Sequence, residues 1–171
     1  MDTTAVTSLK ETVFCDLDAE IANTRRVLDR IPADRLEWQP HRKSMALGSL
    51  AYHLANLFRW GTMILQSDGI DFAKNPPGRQ NPPANKDEVL QAFEERSSTF
   101  LALLQDATDE HLAATWTLRR GEQVIVSGPR FAAIRNMCLN HLIHHRAQLT
   151  VYFRLNDVPV PGVYGRSADE Q

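Results

Sequence analysis

Cysteine is scarce in this 171-residue sequence: Cys15 and Cys138 are its two examples, and neither has the C-x-x-C spacing of a redox or zinc site. Reduced, structural thiols are therefore expected, as suits the cytosol. No long basic run occurs and the net charge is −2, which argues against a general nucleic-acid binder or a protein that coats anionic membranes. No apolar stretch approaches the roughly 20 residues of a membrane span. The opening residues, MDTTAVTSLKETVFCDLDAE, carry acids and no apolar core, so they do not read as a signal peptide. A cytoplasmic location follows as an expectation. There is no Gly-rich phosphate loop and no nucleophile elbow, which leaves nucleotide-dependent and triad-hydrolase chemistry without support.

What remains is an ordinary globular composition, 43% hydrophobic and 23% charged. The length suits one domain, 1–171, able to bury about 70% of the surface of its unfolded chain.

The most informative stretch is Asn140-His141-Leu142-Ile143-His144-His145-Arg146-Ala147-Gln148-Leu149, which holds three of the six histidines. Phe131, Ile134, Cys138, His141, His145, Leu149 and Tyr152 step by three or four and trace one face of an α-helix. On this reading His141 and His145 face the core one turn apart, where two imidazoles can converge on one metal ion. His144 is within reach of His141 but belongs to the neighbouring flank, with Met137, Asn140 and Ala147. The alternative is that these are hydrogen-bonded core histidines, and a third ligand from elsewhere would decide against it.

The rest of the chain supplies a candidate. From about Thr7 to Ile31, Leu17, Ile21, Leu28 and Ile31 recur at helical spacing, with Asp16, Asp18, Glu20, Arg25 and Arg26 mostly outside that stripe. Pro32 to Pro40 break this helix, and a linker with Trp38, Pro40 and His41 follows; His41 could lie at the edge of a site. Ser44 suits the N-cap of a second helix running to about Leu65. Its inner face reads Ala46, Leu50, His53, Leu57, Trp60 and Ile64, with His53 the one polar member. In a helical bundle His53 can face the His141/His145 pair.

Residues 66–85 hold two Pro-Pro pairs and read as a long loop, a rim or lid near the site. Asn85 and Glu88 resemble a capping box for a third helix ending near Asp106. Thr108 caps a single turn containing His111, read as a surface residue. Thr115–Leu118 and Gln123–Val126 suggest a short β-hairpin. Gly128-Pro129 opens a fourth helix that continues to about Leu155. The tail from Asp157, rich in proline and glycine, cannot be helical and can lay its valines and Tyr164 over the bundle.

Three imidazoles on a divalent cation leave a coordination position for water or substrate, whereas structural zinc sites are usually closed by four protein ligands. Such an ion can lower the pKa of bound water or thiol, or polarise a carbonyl. Imidazole suits Zn, Ni, Cu and Fe. Asn56, Gln148, Asn140 and backbone carbonyls are candidates to orient the rings. No inward carboxylate stands beside the helical pair, which weakens a metalloprotease-like reading.

The order of helix, Trp38-x-Pro40-His41 linker, helix with His53, long loop, helix and then His141-x-x-His144-His145-Arg146-Ala147-Gln148-Leu149 closely resembles the DinB family of the DinB/YfiT-like superfamily. The tail from Val158 to Glu170 is similar too, so the likeness runs from about residue 8 to 170. It implies an all-α four-helix bundle with up-down-down-up order, often a homodimer. It also implies one divalent metal ion, Zn, Ni, Fe or Mn, on His53, His141 and His145. This sequence has Ala147 where glycine is common in that family and Arg166 where proline is common; neither touches a ligand position.

The resemblance further implies a stress-related or detoxifying enzyme, a metal-dependent thiol S-transferase acting on a small-molecule substrate with a low-molecular-weight thiol. Two alternatives stay open: a hydrolase in which the metal activates water, and a non-enzymatic metal- or ligand-binding bundle. No nucleic-acid or membrane partner is expected.

Overall fold

The computed structural model describes residues 8–78 and 81–170. The expected start of the first helix at Thr7, the loop residues Arg79 and Gln80, and the ends of the span 1–171 lie outside the described residues.

Where one first helix was expected there are two, α1 (Leu9–Val13) and α2 (Leu17–Leu28). Ser8 and Glu11 cap α1 reciprocally. The chain then turns at Phe14, and the reason lies far off in sequence. The Arg135 guanidinium donates to the Val13 carbonyl at 3.2 Å and to both Asp16 carboxylate oxygens, at 2.5 and 2.8 Å. It thereby satisfies a carbonyl that the helix end leaves without an intrahelical donor.

The second helical stretch begins at Leu47, not at Ser44, and is interrupted at Leu57 into α3 (Leu47–Asn56) and α4 (Phe58–Gln66). No side chain caps α3, because the linker does so. Leu47 N donates to Trp38 O at 2.8 Å and Gly48 N to Leu36 O at 2.9 Å.

The third helix, α5 (Lys86–Asp106), starts as its sequence signals, with Asn85 Oδ1 accepting from Glu88 N at 2.9 Å. The Glu88 carboxylate reaches back one residue further than a capping box requires, to Ala84 N at 2.7 Å. Thr108 caps α6 (Asp109–Ala113). His111 in that turn is half-buried, not a surface residue, and its Nε2 is 2.9 Å from the Leu65 carbonyl.

The chain is mostly helical but not strictly all-α, for it carries a three-stranded sheet, β1-β2-β3. The expected hairpin is present as β2 (Thr115–Arg120) and β3 (Gln123–Pro129), turning at Gly121, whose φ of 60° suits glycine. Unexpected is β1 (Gly69–Asp71), which lies inside the supposed loop and runs parallel to β2. Asp71 Oδ1 accepts from Gly121 N and Ala73 N, both at 2.9 Å, which ties β1 to the hairpin turn. These bonds hold the Asp71 carboxyl below its ordinary pKa. At Gly69 an added Cβ would meet Thr117 O at 2.5 Å, so close pairing here requires glycine.

The last helical stretch runs through α7 (Arg130–Ile134), a π-helical segment (Arg135–Asn140) and α8 (His141–Arg154). The π segment changes the phase. Ile134, Cys138, Leu142, Arg146, Leu149 and Phe153 form the central buried row, flanked by the buried Ala133 and Leu139, and step by four, four, four, three and four. That is one residue more than five α turns take. His141 and His145 therefore lie half-buried beside the core stripe, not along its centre as the regular spacing had suggested.

On the core side of α8 the chain buries a charge. Arg146 is 2% exposed and pairs at 2.6 Å with Glu20 of α2, itself 3% exposed. Its Nη1 donates to Glu20 O and to Thr24 Oγ1, and its Nη2 to Tyr164 Oη at 2.7 Å. Tyr164 in turn donates to Glu20 Oε1 at 2.7 Å, so the tail is tied to the pair. Around this packs an apolar core in which Phe58 meets Phe93 and Phe100, each with ring centroids 5.6 Å apart. Helix α3 packs against α5 and α8, and α2 also packs against both.

Removing one partner of a buried pair leaves an uncompensated charge, at a cost of about 3–5 kcal/mol. Glu20→Gln is therefore expected to lower the unfolding free energy by about 3 kcal/mol, measured by urea titration. The double variant Glu20→Leu, Arg146→Met should recover most of it; a double variant as unstable as the single one would mean the pair is not what α2 and α8 depend on.

Candidate metal centre

Three of the expected site residues come together. His53 projects from the α3 side and His141 and His145 from α8, one helical turn apart. His53 Nε2 lies 3.5 Å from His141 Nε2, and His141 Nε2 lies 2.8 Å from His145 Nε2. One ligand atom from each ring falls within 4.8 Å of the other two. Two imidazole nitrogens bound to one ion at about 2.0–2.1 Å are themselves roughly 3 Å apart. The spacing of this donor set therefore fits a single divalent cation.

Their hydrogen bonds strengthen that fit. Gln148 links two rings: its Nε2 lies 3.0 Å from His144 Nε2, and its Oε1 lies 2.7 Å from His145 Nδ1. An amide nitrogen only donates and an amide oxygen only accepts. His145 thus carries its proton on Nδ1 and turns an Nε2 lone pair toward the cluster. The backbone of Met137 opposes the burial that lowers the His141 pKa. The 2.8 Å approach of the two Nε2 atoms leaves both able to turn a lone pair toward one cation once the His141 ring is protonated on Nδ1.

Electrostatics keep the rings neutral. Burial, followed by the neighbouring His145 and His141, brings the His53 pKa down to about 4. Burial is also the main cause of the lowered values of His141 and His145, opposed at His145 by the Gln148 bond. Neutral imidazole is the form that ligates.

Among the other candidates, Gln148 orients a ring directly, and His144 acts one step behind it. Asn140 is exposed and lines a cleft of about 440 Å³ with Trp60, Asn136, Met137, His141 and His144. Asn56 Nδ2 donates to Tyr52 O at 2.8 Å. His41 stands apart from the cluster on the exposed linker, its Nδ1 accepting from Lys43 N. Cys138 is no nucleophile, since burial pushes its thiol up to about 12. Sequence reasoning did not find the opening beside His141. Its signal lay in Asn136 and Asn140, polar residues one turn apart in the π segment.

Because the folded pKa values are depressed, protons bind the unfolded chain more readily as pH falls below the ordinary histidine value. In metal-stripped protein this stability is fully present above about 6.5 and is lost progressively toward pH 4. The melting temperature should drop across that window, and less steeply in His53→Gln; identical slopes would exclude His53 as a source. In ¹⁵N spectra His145 should show a single Nδ1-protonated tautomer that becomes mixed in Gln148→Leu.

The chain is similar in sequence and in fold to known proteins. The Bacillus subtilis (strain 168) protein YrdA is 22% identical over 148 residues, covering 86% of this chain and 83% of its own. A DinB-like protein from Bacillus cereus ATCC 10987 shares the fold, with a TM-score of 0.67 and 22% identity, over 90% of this chain and 97% of that one. The DinB-like protein YjoA from Bacillus subtilis does so at 0.66 and 15%, over 94% and 98%. The family model of the DinB superfamily matches residues 16–149, from the start of α2 to Leu149 in α8, and the chain belongs to that family.

Proposed function

We propose that His53, His141 and His145 hold one divalent metal ion and that the protein is a metal-dependent thiol S-transferase. On this reading the four long helical stretches are the four helices of a DinB/YfiT-like bundle. The observation that carries the metal assignment is the convergence of the three rings, with the proton of His145 held on the far side by Gln148. When bound, the ion supplies Lewis acidity that lowers the pKa of a thiol reaching it.

The chain's own residues do the rest. Gln148 fixes the orientation of the His145 ring, and His144 holds the Gln148 amide. Trp60 and Met137 give the cleft beside His141 an apolar wall, while Asn136 and Asn140 offer amides to a polar substrate. The overall reaction joins the sulfur of a thiol to an electrophilic carbon and releases the leaving group with the thiol's proton.

Elemental mass spectrometry on untagged protein should find about one divalent ion per chain, and almost none in His53→Ala, His145→Ala. Gln148→Leu should weaken metal affinity by roughly 10–100-fold, the usual effect of removing a group that orients a ligand. Monochlorobimane with cysteine or glutathione then tests the chemistry: metal-dependent conjugation above the spontaneous rate supports thiol transfer. Metal-dependent ester hydrolysis with no thiol requirement would overturn it in favour of a hydrolase. Absence of metal after reconstitution with Zn, Ni, Mn and Fe would overturn both.

A further inference from the structure

A second opening lies across Trp60 from the histidines. It is a groove of about 920 Å³ with walls from α3, α4, β1 and the segment that follows β1. That volume suits a small organic molecule. Trp60 lines both this groove and the cleft beside His141, so the two spaces meet at one side chain.

The groove's chemistry narrows its occupant. Tyr52, Trp60 and Phe72 provide aromatic surface, with the Trp60 and Phe72 rings edge to face at 6.1 Å. The Arg59 guanidinium lines the same wall and, among the described residues, has no carboxylate partner. Arg96 sits against Tyr52, its guanidinium 5.1 Å from the ring, with one nitrogen donating to the hydroxyl at 3.2 Å. Its Nη1 is buried without a hydrogen-bond partner among the described residues, and it stands behind Tyr52 rather than in the groove's lining. Glu88 supplies the wall's carboxylate, which is engaged by Ala84 N. The groove thus lines one cation and one carboxylate with aromatic surface, and Arg59, next in sequence to Trp60 and without a carboxylate partner among the described residues, is the group left to meet an anion with a flat apolar body.

We propose that this groove binds a small aromatic carboxylate, with its carboxylate at Arg59 and its ring system on Trp60 and Phe72. Binding stands on the groove alone. That the ligand is the substrate, reaching the histidines past Trp60, rests on the function proposed above.

The test compares 2-naphthoate with its neutral analogue 2-naphthamide by calorimetry on the metal-loaded protein. Naphthoate should bind about fivefold more tightly, the effect of one solvated ion pair at the upper end of its range. Arg59→Gln, an exposed position whose replacement leaves the core untouched, should erase that preference without changing naphthamide binding. Excess EDTA should leave the preference in place. A preference abolished by EDTA but retained in Arg59→Gln would put the carboxylate on the metal, which overturns this proposal while supporting the metal site. Equal affinities for the two probes, or no binding of either at millimolar concentration, would overturn it as well, with metal content measured independently.

Discussion

The buried pair of Arg146 and Glu20 is the contact on which the placement of the histidines depends. A guanidinium taken out of water must face its carboxylate, and here it also engages Thr24, the Glu20 carbonyl and Tyr164. That demand fixes the rotation of α8 against α2. Successive residues on a helix diverge by about 100°, so with Arg146 turned to α2, His145 is turned aside, and His141 lies one turn along the same flank. His53 meets them there from α3. The residue that holds the helix and the residue that faces the site are neighbours in sequence for this reason.

The π segment serves the same end by a different route. Without its extra residue, the stripe through Cys138 would continue into His141 and His145 and place them at the centre of the core. With it, Leu142 and Arg146 take the buried positions, and the two histidines lie at the core's edge, half-buried and next to an open cleft. Half-burial lowers their pKa values enough to keep them neutral and still leaves a path for small molecules. Asn136, Met137 and Asn140, all from the π segment, line that path.

Much of this was legible in the sequence because it is local. The Asn85 and Thr108 caps, the Gly121 hairpin turn and the break at the tail prolines each act within a few residues and fall where their side chains predict. The juxtaposition of His53 with His141 and His145 was legible because polar residues interrupted otherwise apolar helical stripes. What escaped notice is set by distant contacts. Glu20 looked like part of a solvated face, since nothing within α2 announces a buried arginine on α8. The π segment has no proline or glycine to mark it. Strand β1 is three residues long and exists through pairing with β2, and α1 separates from α2 because Arg135 draws on Val13 and Asp16.

The proposed metal centre requires the three imidazoles to share one ion through their Nε2 atoms. X-ray absorption spectroscopy on zinc-loaded protein tests it most directly. The expected spectrum has three imidazole nitrogens at about 2.0–2.1 Å, with the multiple-scattering signature of rings bound through nitrogen, falling to two in the single variant His53→Ala. A shell of carboxylate or water oxygens without imidazole scattering, unchanged in that variant, would contradict it.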